Sequence, residues 1–395
     1  MNKILHLSTI PVWVMGKSSG MPSVMKTLKY YDEKGFYQLY IYPSNKNFTE
    51  ALFKNCRIVS LKIPEIFLNQ KYLKSYHLFN KLRFIYFSTI YPIKIKNIIK
   101  NFNPDFVYAH LQYMPLTSYI LFRRKKPIFV RYYGLVDAYK YVLSNRFYKF
   151  EENLLSFRLN LTGYILVNDG TAGDEIALKR GVDRKKILYL INGIDNFPSL
   201  TEEEKFELKK NLKINEKPVF LFLNRLSKLK GVDLFLNFLE NFYERKSVTF
   251  LIIGDGDERE NMLNFLDSEK LDYRYIRNVK QNETYKYFQI SDLFLSFNVL
   301  SSLNNPVLES IKNKTPVLSL KRGFKTEFMD DYIFSFDTVE QMANFAKLFL
   351  SIIRDQEEMN KIKVRLKNFE KNYIWSWEDR MNSEFVFVKE RLKNV

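Results

Sequence analysis

Two doubly wound α/β domains in tandem are predicted for this chain, on three observations. Its 395 residues exceed what one hydrophobic core commonly holds. Short apolar runs alternate with helical patterns along almost its whole length. Several of those runs end in glycine-bearing or basic loops, where parallel strands present their carboxyl ends to a ligand. The expected boundaries are residues 1–195 for the first domain and 196–379 for the second. A closing helix from about 380 to 395 is expected to pack back on the first domain. A ligand is expected in the cleft that the two domains face.

In chain order, residues 2–8 read as a strand, followed by the loop Gly16–Gly20 with Lys17, which allows close backbone approach to a ligand. Pro22 opens a helix in which Val24, Leu28 and Tyr31 share a face, and Gly35 closes it. Residues 37–42 form the next strand, and a basic, aromatic stretch of imperfect helical periodicity follows. Residues 105–109, 127–131, 163–167 and 187–190 continue as strands, with a helix over 174–180. Asn192-Gly193 marks a turn and residues 196–215 a linker with a short charged helix. The second alternation begins at Pro218, with strands near 218–224, 247–253, 273–276, 293–297, 315–320 and 332–336. Its helix over 232–242 places Leu234, Phe235, Phe238, Leu239 and Phe242 on one face. Two long helical patterns finish the chain.

Composition narrows the function classes. A single cysteine, Cys56, excludes an intramolecular disulfide and fits a reducing cytosol. Three histidines and one cysteine argue against an N/S-ligated zinc site. The first residues do not read as a secretion signal, and no window reaches about 18 uninterrupted apolar residues. The net charge of +18 is unevenly placed: residues 51–150 hold 18 Lys and Arg against 3 Asp and Glu. A basic surface threaded with aromatics suits an anionic membrane leaflet. Nucleic acid would suit the same charge, and a solvated surface is the bland alternative.

Two loops stand out chemically. Residues 297–320 run from the end of an apolar strand through Ser301, Ser302, Asn304 and Asn305 to Pro306. Pro306 suits a first helical turn, with Glu309 in that same turn. Such a helix start is an anion site, because unpaired N–H groups and the helix dipole point out of it. Arg225, Lys228 and Lys230 share a short loop beside Gly231, which suits a diphosphate. Asp255-Gly256-Asp257 reads as a structural turn.

Four segments together resemble family-4 glycosyltransferases, enzymes of the GT-B fold with two Rossmann-like domains. NRLSKLKGVDLFLNF is similar to the family's GRLSxxKGxD segment, and LIIGDGDERENM to its IIGDGPEREEL segment. SDLFLSFNVLSSLNNPVLESIKNKTPVL is similar to its donor-loop segment, and the terminal WSWEDR to its C-terminal signature. PDFVYAH, ILYLINGID and the glycine loop resemble its N-terminal half. The resemblance implies that Arg225 and Lys230 hold the donor diphosphate and serve catalysis. Glu309 is implied to accept from the donor ribose. Asn304, Asn305 and Pro306 would meet the sugar and phosphates, and Arg277, Asn278, Val279 and Lys280 would frame the base. Gly16 and Gly20 would close on the sugar phosphate. His110 matches a family histidine near the acceptor and is a third catalytic candidate.

Two positions depart from the family pattern. Ser301 stands where the first Glu of its Glu–seven residues–Glu motif belongs, and Tyr133 stands where its histidine precedes glycine. The resemblance implies retaining hexosyl transfer from a UDP- or GDP-sugar, without a cofactor or metal. The expected acceptor is a lipid-linked or cell-surface glycan precursor of polysaccharide, lipopolysaccharide or capsule type. The expected partners are that donor, that acceptor and an anionic membrane surface, with no nucleic acid. The expected location is the cytoplasm, peripheral to the inner face of its membrane. A nucleotide-sugar epimerase and a non-catalytic binding protein on the same fold are the alternatives.

Overall fold

The computed structural model describes residues 3–9, 22–68, 76–111, 113–123, 125–135 and 155–393. The chain divides into two compact units. One comprises Met1–Asn168, Ala172–Asn192 and Trp377–Val395, the other Asp169–Thr171 and Gly193–Ser376. This corrects the expected boundaries. The tripeptide Asp169–Thr171 belongs with the second unit, the crossing falls at Gly193, and the return begins at Trp377.

In the first unit, eight strands among the described residues form one sheet. They are β1 (Lys3–Ser8), β2 (Tyr37–Ser44), β3 (Phe48–Phe53), β4 (Cys56–Lys62), β5 (Phe106–His110), β6 (Ile128–Tyr132), β7 (Gly163–Val167) and β8 (Ile187–Leu190). Their order is β3-β4-β2-β1-β5-β6-β7-β8, and every pairing is parallel except β3 with β4. FVYAH, IFVRY and GYILV are buried at every position, as strands covered on both faces must be. The hairpin β3–β4 was not expected. In β4, Cys56, Ile58 and Ser60 alternate inward, a period-two signal embedded in the basic stretch.

The same stretch continues as one helix, Tyr76–Phe102, that runs on through Pro92. Its inward residues Phe87, Tyr91, Ile95 and Ile99 recur every fourth position. Each such step turns the buried stripe by about 40° around the helix, which is why apolar residues occupy more than one face.

One face of this sheet changes character along its strands. Register pairs Ile4 with Phe106, His6 with Tyr108, Ser8 with His110, Tyr108 with Phe129 and His110 with Arg131. The amino ends are therefore apolar, and the carboxyl ends carry His6, His110 and Arg131, with Tyr133 just beyond β6. Tyr30 and Tyr31 of the helix Pro22–Glu33 and Met381, Phe387 and Val388 of the helix Trp377–Leu392 pack into the apolar part.

The second unit is a six-stranded, wholly parallel sheet. Its strands are β9 (Val219–Leu223), β10 (Thr249–Ile253), β11 (Tyr273–Ile276), β12 (Leu293–Ser296), β13 (Val317–Leu320) and β14 (Phe334–Phe336). The order β11-β10-β9-β12-β13-β14 reverses direction between β9 and β12. A crevice opens outside the carboxyl ends of the strands at such a reversal, where neighbouring connections leave in opposite directions. No helix among the described residues is long and apolar enough to cross a membrane.

Candidate functional site

The two loops singled out by composition leave β9 and β12, the two strands that flank the reversal. The β9 loop runs from Asn224 to Gly231, anchored by the fully buried Leu226 and ending in the tight turn Lys228–Lys230. Gly231 has φ +80°, and a Cβ there would run into the carbonyl oxygen of Phe297 at the start of the β12 loop. Leu229 O accepts from Val299 N–H at 3.3 Å. The two loops thus touch, and only glycine permits the approach.

Arg225 is exposed at the β9 exit, and Lys230 is half-buried. Burial lowers the Lys230 ammonium pKa, the Arg225 charge lowers it further, and Asp169 opposes both. A cation so placed gains more from an incoming anion than a fully hydrated one. Asn224 is buried beside them, and its Nδ2 has no hydrogen-bond partner.

The β12 loop is built from side-chain bonds to its own backbone. Ser301 Oγ accepts from Leu303 N–H at 2.9 Å, and Ser302 Oγ donates to Arg322 O at 2.8 Å. Asn304 caps the helix Asn305–Lys312, its Oδ1 accepting from Val307 N–H at 3.3 Å, and Pro306 lies in the first turn. Glu309 is the fifth helical residue, one position beyond the expected first turn. Its carboxyl is lifted to about 7, by burial first and then by the charge of Asp195, against a bond from Thr284. Thr284 Oγ1 lies 2.8 Å from Gln281 O and 3.3 Å from Glu309 Oε2. A protonated Glu309 can therefore donate to a hydroxyl that in turn donates to Gln281.

The remaining expected residues divide. Arg277, Asn278, Val279 and Lys280 follow β11 directly, and Arg277 Nε donates to Asp255 Oδ2 at 2.9 Å. Arg259 reaches the other oxygen of Asp255 at 3.4 Å, so two guanidiniums occupy that carboxylate. Gly16 and Gly20 lie outside the described residues.

His110 ends β5 fully buried, with both ring nitrogens engaged. Its ring cannot meet a substrate directly, contrary to the expected catalytic contact. The partners also settle its tautomer. Gln38 Nε2 donates to Leu28 O at 2.8 Å, so Gln38 Oε1 must accept from His6 Nε2 at 3.1 Å. His6 Nδ1 then accepts from His110 Nε2 at 3.1 Å, and His110 Nδ1 accepts the Tyr133 hydroxyl proton at 2.8 Å. Burial holds both imidazoles neutral, His6 near 3 and His110 well below the usual range. Tyr133 itself is only partly buried.

Behind this row sits a buried ionic cluster that sequence reasoning missed. Glu384 lies 3.3 Å from Arg131 and bonds Arg380 and the Tyr108 hydroxyl, all with the charged side chains fully buried. Burial opposes its ionisation, but Arg131 and then Arg380 hold the carboxyl below the usual range. The available signals were an arginine inside the apolar strand IFVRY and the arginine of WSWEDR. Two cavities of about 590 and 710 Å³ lie elsewhere, beside the residues that lead into β6–β8 and into β12 and β13. They are at the amino ends of the strands, away from the loops just described.

Comparison with known proteins identifies the family and the fold. Residues 203–369 match the model of glycosyl transferases group 1, and residues 56–196 match that of glycosyltransferase family 4. The O-antigen biosynthesis glycosyltransferase WclY of Escherichia coli is 25% identical over 203 residues, 48% of this chain and 56% of that protein. The alpha-monoglucosyldiacylglycerol synthase of Acholeplasma laidlawii is 30% identical over 138 residues, 34% of each chain. The chain thus spans about half or less of the length of these relatives. The crystal structure of Anabaena HepE in complex with UDP superposes with a TM-score of 0.69 over the whole of both chains, at 15% identity. The two family models meet near residue 200 and together take in most of the sequence, so the chain belongs to the group 1 glycosyltransferases of family 4 type, on the GT-B fold.

Proposed function

We propose that the protein transfers a hexosyl group from a UDP- or GDP-sugar to a hydroxyl acceptor, with retention at the anomeric carbon. The observation that carries this reading is the meeting of Arg225, Lys230 and the Asn304-capped helix start at the β9/β12 reversal, with Glu309 just inside that helix. A departing diphosphate gains negative charge as its bond to the sugar breaks. Fixed cations and backbone N–H groups at that point therefore favour the transition state over the ground state. The reading assigns this charge neutralisation to side chains and calls for no metal or cofactor. Glu309, once ionised, accepts from ribose hydroxyls. The UDP bound to Anabaena HepE supports a uridine carrier.

The names of the two relatives, an O-antigen enzyme and a glycolipid synthase, support a surface-glycan or lipid-linked acceptor. Such an acceptor puts the protein at the cytoplasmic face of a membrane. The helix Tyr76–Phe102 supports that placement, because it contains no Asp or Glu. Leu82, Ile85, Ile90 and Ile93 are exposed on it, Ile93 at 73%, and Lys81, Lys94, Lys96 and Lys100 are exposed with them.

Thermal stabilisation by a panel of nucleoside diphosphates and their sugars tests the donor. Lys230→Ala is expected to lose roughly 100-fold or more in turnover, with a melting temperature close to wild type. Unchanged turnover would remove Lys230 from the chemistry, and no stabilisation by any nucleotide would favour a non-catalytic protein.

A further inference from the structure

Ser301 occupies the position where the family pattern has a carboxylate, and its surroundings leave no space for a longer side chain. It is buried, and Gly170 and Gly323 press on it: a Cβ on either would collide with the Ser301 side chain. Gly170 has φ +79°, and its carbonyl accepts from Phe324 N–H at 2.8 Å. The tripeptide Asp169–Thr171 is therefore pinned against the Ser301 loop, and it clusters with the second unit although the chain on either side belongs to the first.

Asp169 is the residue this pinning delivers. Its Oδ1 accepts from Thr171 N–H at 3.2 Å and from Thr171 Oγ1 at 2.6 Å, which fixes the carboxylate and leaves Oδ2 for another donor. It interacts electrostatically with Lys230, which is itself coupled to Arg225. We propose that Asp169 supplies the carboxylate that Ser301 does not, accepting hydrogen bonds from hydroxyls of the donor sugar beside the diphosphate held at Lys230. The proposal rests on the reading of the chain as a sugar-nucleotide transferase. Burial lifts the Asp169 carboxyl to about 6, with the Thr171 bonds and Lys230 opposing, so it is charged at neutral pH and can accept two hydrogen bonds.

Asp169→Asn tests this, because an amide oxygen can still accept both Thr171 bonds and keep the turn. Binding is measured in matched pairs on the full chain: UDP against UDP-glucose, and GDP against GDP-mannose, by calorimetry. In the pair that wild type binds, the variant should hold the bare diphosphate within about twofold and lose about tenfold or more of the affinity the sugar adds. Asp169→Glu, which keeps the charge, should regain part of that increment. The proposal is overturned if Asp169→Asn retains the full sugar increment. It is equally overturned if the bare diphosphate weakens as much as the sugar nucleotide, which would place Asp169 on the phosphate side. If wild type binds neither member of any pair, the transferase reading itself fails.

Discussion

At the scale of the residue, Glu309 is a buried carboxyl whose proton uptake is tied to folding. Burial, with Asp195, raises it from 4.5 to about 7. Between those values the folded chain holds more protons than the unfolded one, so the stability of the free protein falls as pH rises through that window. The full drop amounts to about 3 kcal/mol. Glu309→Gln should flatten this slope and melt higher than wild type above pH 7, while binding nucleotide about tenfold more weakly. Unfolding curves from pH 5 to 8.5, with and without UDP, check both halves. Parallel pH profiles for the two proteins would show that Glu309 is ionised throughout. His110 teaches the complementary lesson. Its residue type and strand-end position looked catalytic, yet its Nε2 donates to His6 and its Nδ1 accepts from Tyr133.

At the scale of the element, the helix Tyr76–Phe102 separates a buried stripe from an exposed apolar one by angle. The four-residue spacing of Phe87, Tyr91, Ile95 and Ile99 serves the core. Leu82, Ile85, Ile90 and Ile93 remain outside, among lysines. Apolar burial and attraction to anionic lipid add on such a face, the latter at about 1 kcal/mol per lysine. Wild type is expected to co-sediment with phosphatidylglycerol vesicles in a salt-sensitive way and poorly with phosphatidylcholine. Ile85→Asp/Ile93→Asp should reduce the sedimented fraction severalfold without lowering the melting temperature, since both positions are exposed. Equal sedimentation of variant and wild type would rule this helix out as the docking face.

At the scale of the whole molecule, the chain returns at its end to complete its first unit. Arg131 and Glu384 are 253 positions apart, and both are fully buried. Removing one partner of such a pair strands the other's charge in a medium that cannot hydrate it. Here two guanidiniums, Arg131 and Arg380, share the single carboxylate of Glu384. Glu384→Gln should therefore cost about 3–5 kcal/mol in urea unfolding. A loss below about 1 kcal/mol would mean that the guanidiniums are satisfied without it. The buried cluster also gives the WSWEDR segment a physical role, since its Arg380 helps hold the returning helix.

A family resemblance singled out Arg225, Lys230 and Glu309, whereas by itself the sequence determined most of the strands and the loops after β9 and β12. These depend on local pattern: continuous apolar runs, glycine where backbones meet, and cations clustered in one turn. The β3–β4 hairpin was legible too, but the basic composition around it obscured its alternation. Tertiary structure alone decided the rest. It placed Asp169 with the second unit, put His110 behind Tyr133, and paired Arg131 with Glu384. His6 meets His110 across 104 positions, and no window of sequence encodes a contact at that separation. Such contacts follow from the register of non-adjacent segments, which only the packed core specifies.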